Sequence, residues 1–225
     1  MNILHQDDAV LVVDKPAGVP VLPDGWDQDA PYLLKLLEEH FSRLWVVHRL
    51  DKGTSGVLVL ARTAQAHQAL NMQFERREAQ KVYHAICIGA PVWDEHTARH
   101  KLRANVGHRH RTVVDHSRGK PSETHFKVLQ RYQGYGLLES RPATGRTHQI
   151  RVHAYALGHP LLGDVLYSAP ETALIARPAL HAFSLSIIHP STNERLSFSA
   201  PYPADFTAAL AHLSDKNEGG NSYAS

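Results

Sequence analysis

Cysteine is nearly absent from this chain of 225 residues, and a lone Cys87 cannot close an intrachain disulfide. No Cys/His pattern of the zinc-binding kind surrounds it. Lying in the apolar run Ala85–Ile88, it reads as a buried structural thiol. Long apolar stretches are missing too: nothing approaches the ~18 uncharged residues that a membrane-spanning helix needs. The start, Met1–Asp8, lacks the basic region and apolar core of a signal peptide. A soluble, cytoplasmic protein with no membrane partner is therefore expected. A large charge excess is also lacking, since the formal net charge is only +2 and the pI near 8.7. That balance does not announce a nucleic-acid binder, because charge must be clustered to act as a footprint. No internal repeat is present.

With 43% hydrophobic residues the chain can bury one substantial core. The expectation is a monomer with a single catalytic domain over residues 1–213. The Gly/Ser/Asn-rich segment 214–225 reads as a flexible tail. Short apolar runs bounded by turn residues predict strands at Ala9–Val13, Leu44–Val47, Val57–Ala61, Lys81–Gly89, Leu137–Arg141 and Leu196–Ser199. Glu123–Gln130 alternates cleanly, with Thr124, Phe126 and Val128 on one face, and Phe183, Leu185 and Ile187 alternate likewise. Helical spacing predicts helices over Tyr32–Phe41, Ala64–Arg77 and Thr147–Leu157, the last closed by Gly158. Strands dominate without regular strand–helix alternation, so the fold class is α+β rather than a doubly wound sheet.

Three constellations carry chemistry. The first is His48-Arg49-Leu50-Asp51-Lys52-Gly53-Thr54-Ser55-Gly56, which places an imidazole, a guanidinium, a carboxylate, an ammonium and two hydroxyls within nine residues. Wedged between two apolar strands, it reads as a presented loop, although a solvated turn would look similar. A kinase catalytic loop is excluded by the lack of a Gly-rich phosphate loop and an Asp-Phe-Gly, and a serine hydrolase by the lack of a Gly-x-Ser-x-Gly elbow. The second is Gly145–His153, where His148 and Arg151 lie three apart and share a helix face while Ile150, Ala154 and Leu157 form the buried stripe. The third is Arg99–Lys120, with seven Lys/Arg, four His and the single acid Asp115. It either tracks a polyanion backbone or forms a solvated loop, with a strand at Thr112–Val114. His96 and His100 have helical ligand spacing but no third ligand with them, so no metal is expected.

These segments together resemble the RluA family of RNA pseudouridine synthases. Val12–Gly18, His48–Gly56, Lys81-Val82-Tyr83-His84-Ala85, Gly145–Arg151 with Leu157–Asp164, and Leu180-His181-Ala182 with His189-Pro190 follow the family's order of motifs, from about Asp7 to Phe206. The resemblance implies the pseudouridine synthase fold, a mixed, mainly antiparallel sheet flanked by helices and loops. It implies isomerisation of uridines in structured RNA, a stem-loop of rRNA or tRNA, with no cofactor. Asp51 aligns with the essential aspartate, Tyr83 with the tyrosine that stacks on the target base, and Arg151 with the basic residue that pairs with the aspartate. Arg49 is similar to the arginine that fills the space left by a flipped nucleotide. His48, Arg109 and Arg111 are further candidates for RNA contact. Few residues precede the first motif, so the S4-like domain of many relatives is expected to be absent. Two alternatives stay open: a glycoside or nucleoside hydrolase, which would want a second carboxylate in another motif, and a non-catalytic RNA-binding module.

Overall fold

The computed structural model describes residues 2–23 and 30–219. Among them are eleven strands, four α-helices and one 3-10 turn, so the chain is α+β with mainly antiparallel pairing. The chain divides into two compact units interleaved in sequence, Met1–Val82 with His181–Pro201, and Tyr83–Leu180 with Tyr202–Ser225. No helix among the described residues is long and apolar enough to cross a membrane.

In the first unit β1 (Asn2–Gln6) pairs antiparallel with β2 (Val10–Lys15), and β2 with β4 (Ser55–Ala61). All seven residues of β4 are buried, which is why this run is continuously apolar after Ser55 rather than alternating. The other edge of β4 is shared by two partners. β3 (Trp45–Val46) pairs antiparallel at Leu60–Ala61, and β10 (Leu180–Ile188) pairs parallel at Ser55–Gly56. β10 then pairs with β11 (Arg195–Ser199). Helix α1 (Leu33–Glu38) is shorter than the expected Tyr32–Phe41. Helix α2 (Ala64–Glu75) starts where Thr63 accepts a hydrogen bond from the Ala66 N–H, 3.1 Å, an N-cap. It packs Ala66 and Leu70 on a core of Val10, Val12, Val57, Val59, Leu185 and Ile187.

The second unit is an antiparallel ladder. β5 (Gln80–Ile88) enters it at Tyr83 and is followed in space by β9 (Tyr135–Pro142), β8 (Lys120–Tyr132), β6 (Glu95–Val106) and β7 (Arg111–Val114). Phe126, Leu138, Ala85 and Cys87 meet Ile150 and Ala154 of α3 (Gln149–Ala156) on one side of that ladder. Helix α4 (Ala204–Gly219) packs Phe206, Ala209 and Leu213 against Ile86, Leu137 and Leu162. Burial pushes the Cys87 thiol up to about 12, as suits a structural cysteine.

Two expectations change here. The basic segment Arg99–Lys120 is largely not a loop: β6 and β7 form a hairpin, closed by the Val106–Arg111 pair around a turn in which the His110 N–H donates to the Gly107 carbonyl, 3.1 Å. The tail expected from Ser214 is helical as far as Gly219, and residues 220–225 lie outside the described ones.

Gly56 shows how tightly β4 and β10 meet. Its φ is +112°, and a Cβ there would overlap the backbone of Ala182 on β10. Both the conformation and the approach require glycine. Gly56→Ala is expected to destabilise the protein by about 3–4 kcal/mol. That corresponds to a fall in Tm of roughly 10 °C. A melting temperature within a degree or two of the parent would show that the strand crossing is looser than described.

Candidate active site

The loop that carries Asp51 is built from its anchors outward. Lys15, at the end of β2, has no exposed surface, and its ammonium donates to the carbonyls of Pro16 (2.8 Å), Val19 (2.7 Å) and Lys52 (3.5 Å). The Gly18 N–H donates to the same Lys52 carbonyl at 2.7 Å, and the Thr54 N–H to the Asp51 carbonyl at 2.9 Å. The Lys-Pro-Ala-Gly turn thus fastens the Asp51–Thr54 turn by its Lys52 carbonyl. Leu50 is buried, Asp51 is half-buried, and Arg49 and Lys52 are exposed. At the far end, the buried Ser55 and His181 lie 2.9 Å apart, Oγ to Nδ1, and His181 Nε2 donates to the Ala200 carbonyl at 3.1 Å. The Nε2 donation fixes the tautomer, so the Ser55 hydroxyl donates to Nδ1. This is the reason for histidine in the Leu180-His181-Ala182 segment, a role that no motif spacing reveals.

His48 does not serve as a cation. Its ring stacks on Phe74 of α2, centroids 4.6 Å apart, and its Nε2 accepts the Val59 N–H at 3.2 Å. Burial, helped by the neighbouring Lys81 ammonium, pulls its pKa down to about 3. A neutral imidazole whose Nε2 is occupied keeps its Nδ1–H as a donor, so any contact with RNA at His48 would be a hydrogen bond rather than an ion pair.

Asp51 and Arg49 belong to the first unit; Tyr83, Arg151, Arg109 and Arg111 belong to the second. Within the second unit, the sharp turn into α3 is held by Gln149. Its Oε1 accepts from the Thr144 hydroxyl (2.6 Å) and the Arg146 N–H (3.1 Å), and its Nε2 donates to the Glu123 carbonyl and Thr124 Oγ1, both at 2.9 Å. His148 then takes the left-handed conformation, φ +53°, at the helix start. Arg151 is buried and makes a bidentate pair with Asp164, 2.7 Å at each nitrogen, while its guanidinium lies 5.0 Å from the centre of the Tyr167 ring. The Tyr167 hydroxyl donates to the Thr112 carbonyl (3.1 Å), accepts from the Thr112 N–H (3.0 Å) and lies 3.0 Å from His148 Nδ1. His148 and Arg151, expected on one face, therefore meet at Tyr167. Asp164 lies in a recognised motif without an assigned role, and Tyr167 carried no sequence signal at all.

Tyr83 is half-buried on β5, opposite Ser140 of β9, and packs on the Phe126–Leu138 core. In the basic hairpin, Arg99 is paired with Glu123, and Arg103 and Arg118 with Asp115. Arg109 and Arg111 are exposed and have no acidic partner among the described residues. Behind them, His153 of α3 closes a neutral network: Nε2 donates to Ser122 Oγ (2.9 Å), which donates to the His100 carbonyl (2.7 Å), and Nδ1 accepts from Thr124 Oγ1 (3.0 Å). Burial and the neighbouring His100 hold the His153 pKa down to about 4. Among the described residues, no three His, Cys, Asp or Glu are grouped to hold a metal ion.

A carboxylate on a main-chain-pinned loop, a half-buried tyrosine and an arginine fixed by a buried acid are consistent with the family expectation, and sequence comparison decides it. Residues 9–156 match the family model described as RNA pseudouridylate synthase. The chain belongs to that family. Its pseudouridine synthase fold is shared with the solved structures of Human RNA Pseudouridylate Synthase Domain Containing 4 (TM-score 0.77, 29% identity, 94% of this chain and 92% of that one) and Domain Containing 1 (TM-score 0.74, 32% identity, 89% and 83%). Among curated family members, Ribosomal large subunit pseudouridine synthase D of Neisseria meningitidis serogroup A is 38% identical over 95% of this chain. The protein of that name from Pseudomonas aeruginosa is 36% identical over 97%. The chain spans 61% of the length of the Neisseria relative and 73% of the Pseudomonas one.

Two outcomes follow from this family member's geometry. Arg151→Met strands the Asp164 carboxylate, whose side chain is 1% exposed. Breaking a buried pair from one side is destabilising by about 3–5 kcal/mol. The expected fall in Tm is therefore roughly 10 °C. It is partly recovered in the double variant Arg151→Met/Asp164→Leu, and a wild-type melt for the single variant would show the pair to be dispensable.

The second concerns pH. Unfolded histidine binds a proton near about 6.5, whereas folded His48 and His153 resist it down to about 3 and about 4. Between these limits the unfolded chain binds more protons, so stability is fully present above the unfolded value and falls as pH drops through the window. Urea unfolding between neutral and mildly acidic pH is expected to show that decline, with a shallower slope in His48→Gln. Equal slopes in the two proteins would contradict the neutral, buried role of His48.

Proposed function

We propose that this chain converts uridine to pseudouridine in large-subunit ribosomal RNA, with Asp51 as the catalytic carboxylate. The names of its relatives support the substrate class. The observation that carries the reading is the pinned loop, since Lys15 and Gly18 hold the Asp51 turn by its backbone while the carboxylate is only half-buried. A carboxylate held this way needs little reorganisation when it meets a substrate.

The reaction breaks the bond between uracil N1 and ribose C1′, turns the base, and joins C5 to C1′. The proton lost from C5 is balanced by one gained at N1. Nothing is oxidised and no group leaves, so the balance calls for no cofactor. Asp51 either attacks C1′, as in retaining glycoside hydrolysis, or removes the neighbouring 2′ proton. The target uridine has to leave its stack, which costs roughly a few kcal/mol. Stacking on Tyr83 returns about 1–3 kcal/mol. Its hydroxyl is the group proposed to take the C5 proton, and Arg49 is exposed and long enough to occupy the vacated space. Arg109 and Arg111, exposed cations of the hairpin with no acidic partner among the described residues, serve the phosphates. Arg151, the aligned basic residue, contributes a fixed positive charge whose position Asp164 and Tyr167 set.

Asp51→Asn keeps the side chain's shape while removing its charge and nucleophilicity. Tritium release from 5-tritiated large-subunit rRNA transcript is expected to fall below detection, with filter-binding affinity unchanged within a few fold. Substantial residual release would remove Asp51 from the chemistry.

A further inference from the structure

The second unit holds a cavity of about 310 Å³ that the reaction does not use, between the outer strand β7 and helix α3. It is lined by Val113, Val114, Val152 and Ala156, with Tyr155 and Tyr167 beside them. Tyr155 is a large aromatic left 43% exposed on this helix. Thr112 also lines the space and is 1% exposed. Arg111, also part of the lining, is exposed and lacks an acidic partner among the described residues.

From these features we propose that the cavity receives one unpaired base of the RNA, other than the uridine being isomerised. The inference rests on reading the chain as an RNA-modifying enzyme, and it adds a second base-binding site. The volume lies at the low end of the ~300–1,000 Å³ typical of small-molecule pockets, enough for one base and little more. Apolar walls and tyrosine rings suit a flat π-system, which stacks regardless of its sequence identity. The cation at the mouth meets the phosphate that every base in a chain brings with it, and this charge complementarity selects a nucleic acid over an apolar peptide. The Tyr167 hydroxyl, bonded to both Thr112 backbone atoms, gives the site a rigid floor.

Ala156 is exposed at the last position of α3, and Ala156→Phe puts a ring into the cavity without disturbing the helix core. Binding of an unmodified large-subunit rRNA transcript, measured by filter retention across a salt series, is expected to weaken about tenfold, the scale of one lost base stack. The log–log salt slope and turnover at saturating RNA should stay at wild-type values. Arg111→Ala is expected to do the reverse at this site, lowering the slope by about 0.7–0.9 for its one phosphate. A melting temperature of Ala156→Phe within a few degrees of wild type guards against a folding artefact. Wild-type affinity for Ala156→Phe overturns the proposal. So does a weakening that comes with a reduced salt slope, which would mean that the ring merely displaces Arg111. Failure of the synthase reading shows differently, as transcript binding without tritium release by the wild-type protein, and it leaves the affinity comparison readable.

Discussion

An ammonium group that has lost all contact with water must find oxygen atoms, and at Lys15 those oxygens come from two separate loops. Its carbonyl partners include Pro16 and Val19 of one turn and Lys52 of the other. Burying the charge would be prohibitive without them, so the arrangement is all or none. Once it forms, Gly18 can reach the Lys52 carbonyl, the Asp51–Thr54 turn closes, and β4 begins at a defined point. From that point follow the register of β2 against β4 and the crossing at Gly56, on which the parallel contact with β10 depends.

The second unit places its arginine by different means. Arg151 is held from below by Asp164 and against its face by Tyr167. Tyr167 in turn is tied to the hairpin through Thr112 and lies beside His148 at the start of α3. Four side chains from two short segments, residues 148–151 and 164–167, therefore share one hydrogen-bond and stacking network, and a change in any of them would be felt at the guanidinium. Gln149 does the same for the loop before the helix, using both lone pairs of its oxygen and both hydrogens of its nitrogen. Networks of this kind fix a single conformation when every member is satisfied.

How much of this could be read beforehand depended on periodicity. β4, β8 and β9 carry apolar residues at their inward positions, and their expected ranges lie within the observed ones. β6 is hard to read because its inward positions hold Ala98, His100 and Leu102, too little apolar bulk to stand out among the cations, so the charge pattern leaves strand and loop alike open. α4 had the signal: Phe206, Ala209, Leu210 and Leu213 lie at helical spacing, but the polar residues beyond Ser214 drew attention to fraying. The Asp51 loop and Arg151 were legible as family motifs. Asp164 as Arg151's partner, Tyr167 as its platform and the neutral state of His48 were not, because each is created by side chains that meet only in the folded chain. A histidine beside an arginine looks like a cation in sequence, and only the stacked Phe74 and the donated Val59 N–H make it an acceptor.

β7 ends its sheet, pairing with β6 on one side only among the described residues. A short outer strand with valines at Val113 and Val114 is the kind of edge along which proteins add foreign strands and aggregate. Arg109 and Arg111 stand at its entrance, and Arg118 follows its exit. Like charges on an approaching copy would repel before backbone bonds could form. The positive hairpin thereby opposes edge-to-edge pairing of two copies, and the opposition is greatest in dilute salt, where those charges are least screened.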